Sequence, residues 1–178
     1  MELIDKDFPK YGIVCDMILA PGWSHKSTVA AAMRAKAETI NGVFHGAKAL
    51  IDIDTTEVTH YADAPAWKSA QNINDKAEIL CWPLFGLGDY VFHASVHTAA
   101  RMTATDSDNG GCPAESPSNK SLQIDRACLA DGTTVLLDLN QANYLNSNGI
   151  VTALNFIGGY VLWGNETACF PADTDVKN

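Results

Sequence analysis

Ser24 and His25 follow an apolar run, Ile13–Leu19, and the turn residues Ala20, Pro21, Gly22 and Trp23. The end of a buried strand is where open α/β sheets often carry their sites. A serine nucleophile at such a place sits in a Gly-x-Ser-x-Gly elbow, whose glycines permit the strained turn. Pro21-Gly22-Trp23-Ser24-His25 does not match that elbow, and a small polar residue just before a helical stretch is a ready cap. His93 and His97 stand four apart, the spacing that lets two imidazoles share a metal from one helix face. The zinc-protease pattern needs Glu after the first His, and Ala94 stands there. Asp52 and Asp54 flank Ile53 at a strand end; a cation could sit between them, but Asp54, Thr55 and Thr56 suit the cap of a following helix. Asp106, Asp108, Asn109 and Gly110 resemble the start of a calcium loop, yet Pro117 occupies the place of the bidentate Glu. Gly86 and Gly88 lack the Lys and Ser or Thr of a phosphate loop. Asn165-Glu166-Thr167 has the form of a glycosylation triplet and is read as chance. No residue is therefore assigned to catalysis, to a cofactor or to a metal. A small cytosolic α/β hydrolase using Ser24 is the alternative kept.

The composition narrows the partners. The chain has 178 residues, 47% of them hydrophobic and 19% charged, enough to bury one core. Its net charge of −9 disfavours nucleic acid and anionic membranes, which need clustered Lys and Arg. The five cysteines, Cys15, Cys81, Cys112, Cys128 and Cys169, show no two-residue spacing, and they are expected to be reduced, small apolar fillers. Met1–Lys10 has no apolar stretch of signal-peptide length, and no apolar run reaches about 18 residues. The expectation is a cytoplasmically made chain without direct membrane insertion.

The elements that would position these residues follow from hydrophobic spacing. Ile13–Leu19 predicts a strand buried on both faces. Val29, Ala32, Met33, Lys36, Ala37 and Ile40 predict a helix from Thr28, with Ser24, Ser27 or Thr28 as cap and Ser24 preferred, Trp23 as packing anchor and Asn41–Gly42 as stop. Ala47–Ile53 predicts a second strand, making a right-handed parallel crossover. A helix is expected to start within Thr55–His60 and break near Pro65, with Trp67–Ala70 in an irregular or helical connection. Ile79–Pro83 predicts a third strand with Gly86 and Gly88 in the loop after it, and Asp89–Thr105 a helix. Asp106–Gln123 reads as a long surface loop and a candidate contact segment, and Val135–Leu139 is open between strand and helix. Asn140–Leu145 predicts a short helix, and Ile150–Leu154 and Tyr160–Trp163 two closing strands. The expected fold is α/β, a three-layer or mixed sheet flanked by helices, with parallel crossovers first and antiparallel strands near the C-terminus. A lead-in segment, 1–11, precedes one core domain, 12–178.

Several segments also carry a resemblance. Leu19–Ser24 and its helix, Ala49–Asp54, Ser116–Lys120, Leu145–Thr152 and Val161–Thr167 occur in an order that resembles contractile-tail sheath proteins of bacteriophages and prophages. The resemblance implies a structural subunit rather than an enzyme, stacking in hexameric rings around an inner tail tube and meeting a baseplate. Such a sheath contracts to drive the tube through a cell envelope, powered by exchanged inter-subunit contacts. It implies a place in the virion tail after assembly in the bacterial host cytoplasm. Members of that family continue past the Trp163-Gly164 segment into an interlocking C-terminal domain. This chain ends at Asn178 and is expected to be a core portion without it.

Overall fold

The computed structural model describes residues 2–40 and 46–172. A 3-10 turn, Glu2–Lys6, leads into α1 (Asp7–Tyr11). Then follow β1 (Met17–Leu19), α2 (Ser27–Glu38) and β2 (Lys48–Asp52), and, after a 3-10 turn at Tyr61–Asp63, α3 (Ala64–Ala70) and β3 (Glu78–Cys81). β4 (Leu84–Leu87), β5 (Tyr90–His93), α4 (Ala94–Asp108), β6 (Arg126–Cys128) and β7 (Thr134–Val135) come next. α5 (Leu139–Asn146), β8 (Ile150–Phe156) and β9 (Gly159–Trp163) close the chain.

Two sheets result. The larger runs β1-β2-β3-β8-β9, parallel through β8 and antiparallel at β8–β9, and the smaller is an antiparallel β5-β4-β6-β7. Successive side chains of a strand point to opposite faces, so apolar residues in unbroken runs bury both. Ile51, Leu80 and Ile150 pack with Ala30 of α2, Trp67 of α3 and Leu145 of α5. Leu50, Ile79, Val151 and Ala153 pack on the other face with Ala94 and Ala99 of α4, Phe85 of β4 and Ala127 of β6. The large sheet is thus the middle layer, with α2, α3 and α5 on one side and α4 plus the small sheet on the other. Residues 119–122 cover the free edge of β9: Asn119 N–H donates to Leu162 O, and Leu122 N–H to Tyr160 O. In the opening segment Ile4 packs beside Met33 and Ala37 of α2, and Lys36 pairs with Asp5.

The expected alternation of parallel crossovers and an antiparallel close is present, while several boundaries differ for physical reasons. β1 starts only at Met17, where its pairing with Lys48 begins, and Ile13 is exposed. Gly86 lies in a strand, not a loop. A Cβ there would drive into the Arg126 side chain across the ladder, so the glycine serves a close approach rather than a turn. Tyr90, Val91 and Phe92 form β5 instead of the start of a helix, because their β-forming side chains pair with β4; the helix runs Ala94–Asp108 and takes in Asp106. Thr55–His60 is turn, with Asp54 accepting from Thr56 N–H and Oγ1, and Pro65 opens α3 rather than breaking a helix. Val135 is strand. The expected stop at Asn41–Gly42 lies outside the described residues.

The core makes a direct test. Leu80 is fully buried and Leu136 is 74% exposed, so Leu80→Ala is expected to cost about 2–5 kcal/mol by lost transfer energy and a residual cavity. Leu136→Ala should change stability by about 0.5 kcal/mol or less, and paired urea titrations compare the two.

Candidate functional site

The polar residues near the C-terminal ends of the strands converge on Asp52. It ends β2 after the apolar run Ala49–Ile51 and is buried with Ser24 and Ser95. Ser24 Oγ donates to Asp52 Oδ2 at 3.1 Å and accepts from Asp52 N–H at 3.0 Å. Ser95 donates twice, from N–H to Oδ1 at 2.8 Å and from Oγ to Oδ2 at 2.6 Å. Ser95 stands in the first turn of α4, where free N–H groups and the helix dipole favour an anion. His93 Nδ1 lies 3.7 Å from Asp52 Oδ2, outside hydrogen-bond range. One carboxylate therefore fastens the β1–α2 turn, the end of β2 and the β5–α4 junction.

A second buried knot lies at Lys68 on α3. Its Nζ donates to the carbonyls of Asn148 and Phe170, 2.5 and 2.9 Å away, tying α3 to the turn before β8 and to the last described segment. Burial lowers the Lys68 pKa to about 8 against the pull of nearby Cys169 and Glu78. Gly149 beside it has φ +69°, and a Cβ there would strike Thr167 O. The neighbouring Glu78 accepts from the N–H groups of Asn74 and Asp75, while burial raises its pKa.

The candidate residues of the sequence separate in space. Ser24 is no cap, since α2 begins after Lys26 without a side-chain cap; its hydroxyl is spent on Asp52. With Ser24 fully buried, a substrate has no open path to Oγ, and the arrangement gives the hydrolase alternative no support. Trp23 is 61% exposed with Lys26 Nζ over its ring, so it is not a packing anchor. His25 faces Asp54 at 3.9 Å. Burial opposes ionisation of Asp54, but the Thr56 hydrogen bonds outweigh it and leave its pKa below the ordinary value. His93 and His97 do not converge, because the His97 ring packs edge-on against Phe85 and Phe92. Burial lowers the His97 pKa. No cluster of three or more metal-ligating side chains occurs among the described residues. The five cysteines form no disulfide with one another, and no helix among the described residues is long and apolar enough to cross a membrane. Residues 106–117 help line an open hollow of about 1090 Å³ with Asp16, Met17 and Met102.

Sequence reasoning missed Ser95 and Lys68. A lone carboxylate in the apolar stretch Ala49–Ile53 signals that Asp52 needs donors, but nothing local names Ser95, 43 residues on.

No family model matches the chain. The tail sheath protein of Burkholderia phage BcepMu is 28% identical to it over an alignment of 190 positions that takes in all of this chain and 38% of that relative. The likeness is to contractile-tail sheath proteins. In fold the chain is similar to a chain in the cryo-EM structure of the anti-feeding prophage baseplate, with TM-score 0.65, 17% identity, and 98% of this chain and 43% of that one covered. It is similar again to a chain of an extracellular contractile injection system, the PVC sheath complex in its contracted state, with TM-score 0.64, 18% identity, and 94% and 43% covered. The chain thus spans less than half the length of each protein it matches. The sheath-like segments of the sequence lie against one another: Ser24 binds Asp52, Asn146 Oδ1 accepts from Asn165 N–H, and Ser118 Oγ accepts from Gly164 N–H.

Two outcomes are expected. Asp52→Ala leaves three buried donors without their acceptor and should cost about 3–5 kcal/mol, against about 1–2 kcal/mol for Ser24→Ala; chemical denaturation ranks them. For Lys68, whose ordinary value is 10.5, the folded chain releases its proton first as pH rises. Between pH 8 and 10 the unfolded state binds more protons, so Lys68 makes stability rise with pH. Wild type should gain about 1–3 kcal/mol relative to Lys68→Met between pH 7 and 10, as read by unfolding at fixed ionic strength.

Proposed function

We propose that this chain is the core α/β portion of a contractile-tail sheath subunit, acting as a structural element rather than an enzyme. The observation that carries the reading is the alignment of the whole chain with a phage tail sheath protein; the shared fold of two contractile-system structures supports it. On this reading the subunit assembles in the host cytoplasm into stacked hexameric rings around an inner tail tube, above a baseplate, and contracts to drive the tube through a cell envelope. Residues 12–178 form its core domain and 1–11 its lead-in. The chain aligns with 38% of the length of that sheath protein, so ring assembly is proposed of a whole sheath subunit rather than of this portion alone. Contraction needs interfaces that exchange between two packings while each subunit keeps its fold, and the buried Asp52 and Lys68 knots suit a subunit that moves as a rigid body.

The test is electron microscopy of the full-length protein produced with its tail-tube partner. Striated tubes around a tube core are the expected result. Persistent monomers without tube association overturn the reading.

A further inference from the structure

The sequence holds three pairs of asparagine followed by glycine: Asn41 and Gly42, which lie outside the described residues, Asn109 and Gly110, and Asn148 and Gly149. Such an asparagine is open to attack on its own side-chain amide, because no Cβ keeps the next backbone nitrogen away from Cγ. That nitrogen has to turn onto Cγ, so the ease with which the local backbone opens decides which pair reacts. The two described pairs differ in this respect. Asn148 O accepts from Lys68 Nζ at 2.5 Å, and Asn148 Nδ2 donates to Tyr144 O at 2.8 Å. Gly149 is buried, and a Cβ there would strike Thr167 O, so this backbone has no room to turn. Asn109 ends α4, and Gly110 and Gly111 follow it with φ +72° and +82°. All three are exposed, and nothing lies within 4 Å of where a Cβ on either glycine would stand. Gly110 N–H is held by Ser107 O at 3.1 Å, and Asn109 Nδ2 by Thr105 O at 3.0 Å and Glu115 Oε2 at 3.4 Å. These bonds belong to the last turn of a helix, where opening costs least.

We propose that Asn109 is a site of spontaneous deamidation, and that the charge it gains loosens the end of α4. The Gly110 nitrogen gives its proton to solvent base and bonds to Asn109 Cγ; the Cγ–Nδ2 bond breaks, and ammonia leaves with a proton taken from water. Water then opens the succinimide ring at either carbonyl, leaving aspartate or isoaspartate at position 109. Water is the co-reactant, and nothing is oxidised or reduced. The new carboxylate stands at the C-terminal end of α4, where the helix dipole disfavours an anion. It also loses the Nδ2 bonds to Thr105 O and Glu115 Oε2. The nearby cations are engaged, Arg101 with Asp108 and Lys120 with Glu115, while Asp106 adds a further negative charge to the same turn. The last turn of α4 and the segment after it help line the open hollow beside Met17 and Met102, so this wall weakens as the chain ages.

The test holds the full-length protein, folded and unmodified, in mildly alkaline water labelled with heavy oxygen and follows its peptides by mass spectrometry. Position 109 should convert about tenfold faster than Asn148 or more, take up solvent oxygen, and yield both aspartate and isoaspartate. Gly110→Ala, shown to be folded by thermal unfolding, should slow position 109 by about tenfold; the comparison of Asn109 with Asn148 in wild type stands without that variant. Asn109→Asp should exchange its amide hydrogens at residues 105–111 faster than wild type. Conversion at 109 no faster than at 148, or to aspartate without isoaspartate, overturns the site. Exchange in Asn109→Asp equal to that of wild type overturns the loosening.

Discussion

A carboxylate buried at the end of an apolar strand is stable only where donors replace the water it has lost. Asp52 meets that requirement with Ser24 and Ser95, and each donor comes from a different part of the chain. The β1–α2 turn is drawn onto the end of β2, and the first turn of α4 is held against the same oxygens. Because α4 carries the second layer, the carboxylate fixes how the two layers meet as well as how two strands are spaced. These directional bonds set the register together with the apolar packing around them.

The small sheet depends on that junction. β5 passes directly into α4 at His93 and Ala94, so anchoring Ser95 also anchors the hairpin behind it. Phe85 of β4 then reaches the large sheet with Leu50 and Ile79, and Gly86 leaves room for Arg126 to cross the hairpin, donating to the carbonyl of Gly88. Polar anchoring sets position and apolar contact supplies area. At the other end of the strands, before β8, the donors of Lys68 do the same for the chain's closing segment.

What the sequence discloses follows from how local each signal is. β2, β3, β8 and β9 are legible as short apolar runs between turn residues, and α2 and α5 from helical spacing, because strand and helix periods are written in neighbouring residues. Tyr90–His93 is not legible, since three apolar residues before a helix fit its pattern as well as they fit a strand. Only pairing with Leu84–Leu87 separates the two. Ser24 lies in the expected turn with a different role, because a helix cap needs only neighbours whereas the bond to Asp52 spans 28 residues. The order of segments carried the family resemblance without any of this geometry.

A subunit that changes partners must keep its interior strong and its contacts weak. Close-packed interiors do not deform gradually, so the change has to fall on surfaces that can separate and re-form. Asp52 and Lys68 place the directional bonds of this chain inside, between elements that stay together. Burying the polar bonds between elements that stay together confines exchange to the surface, and the proposed mechanical role requires that division.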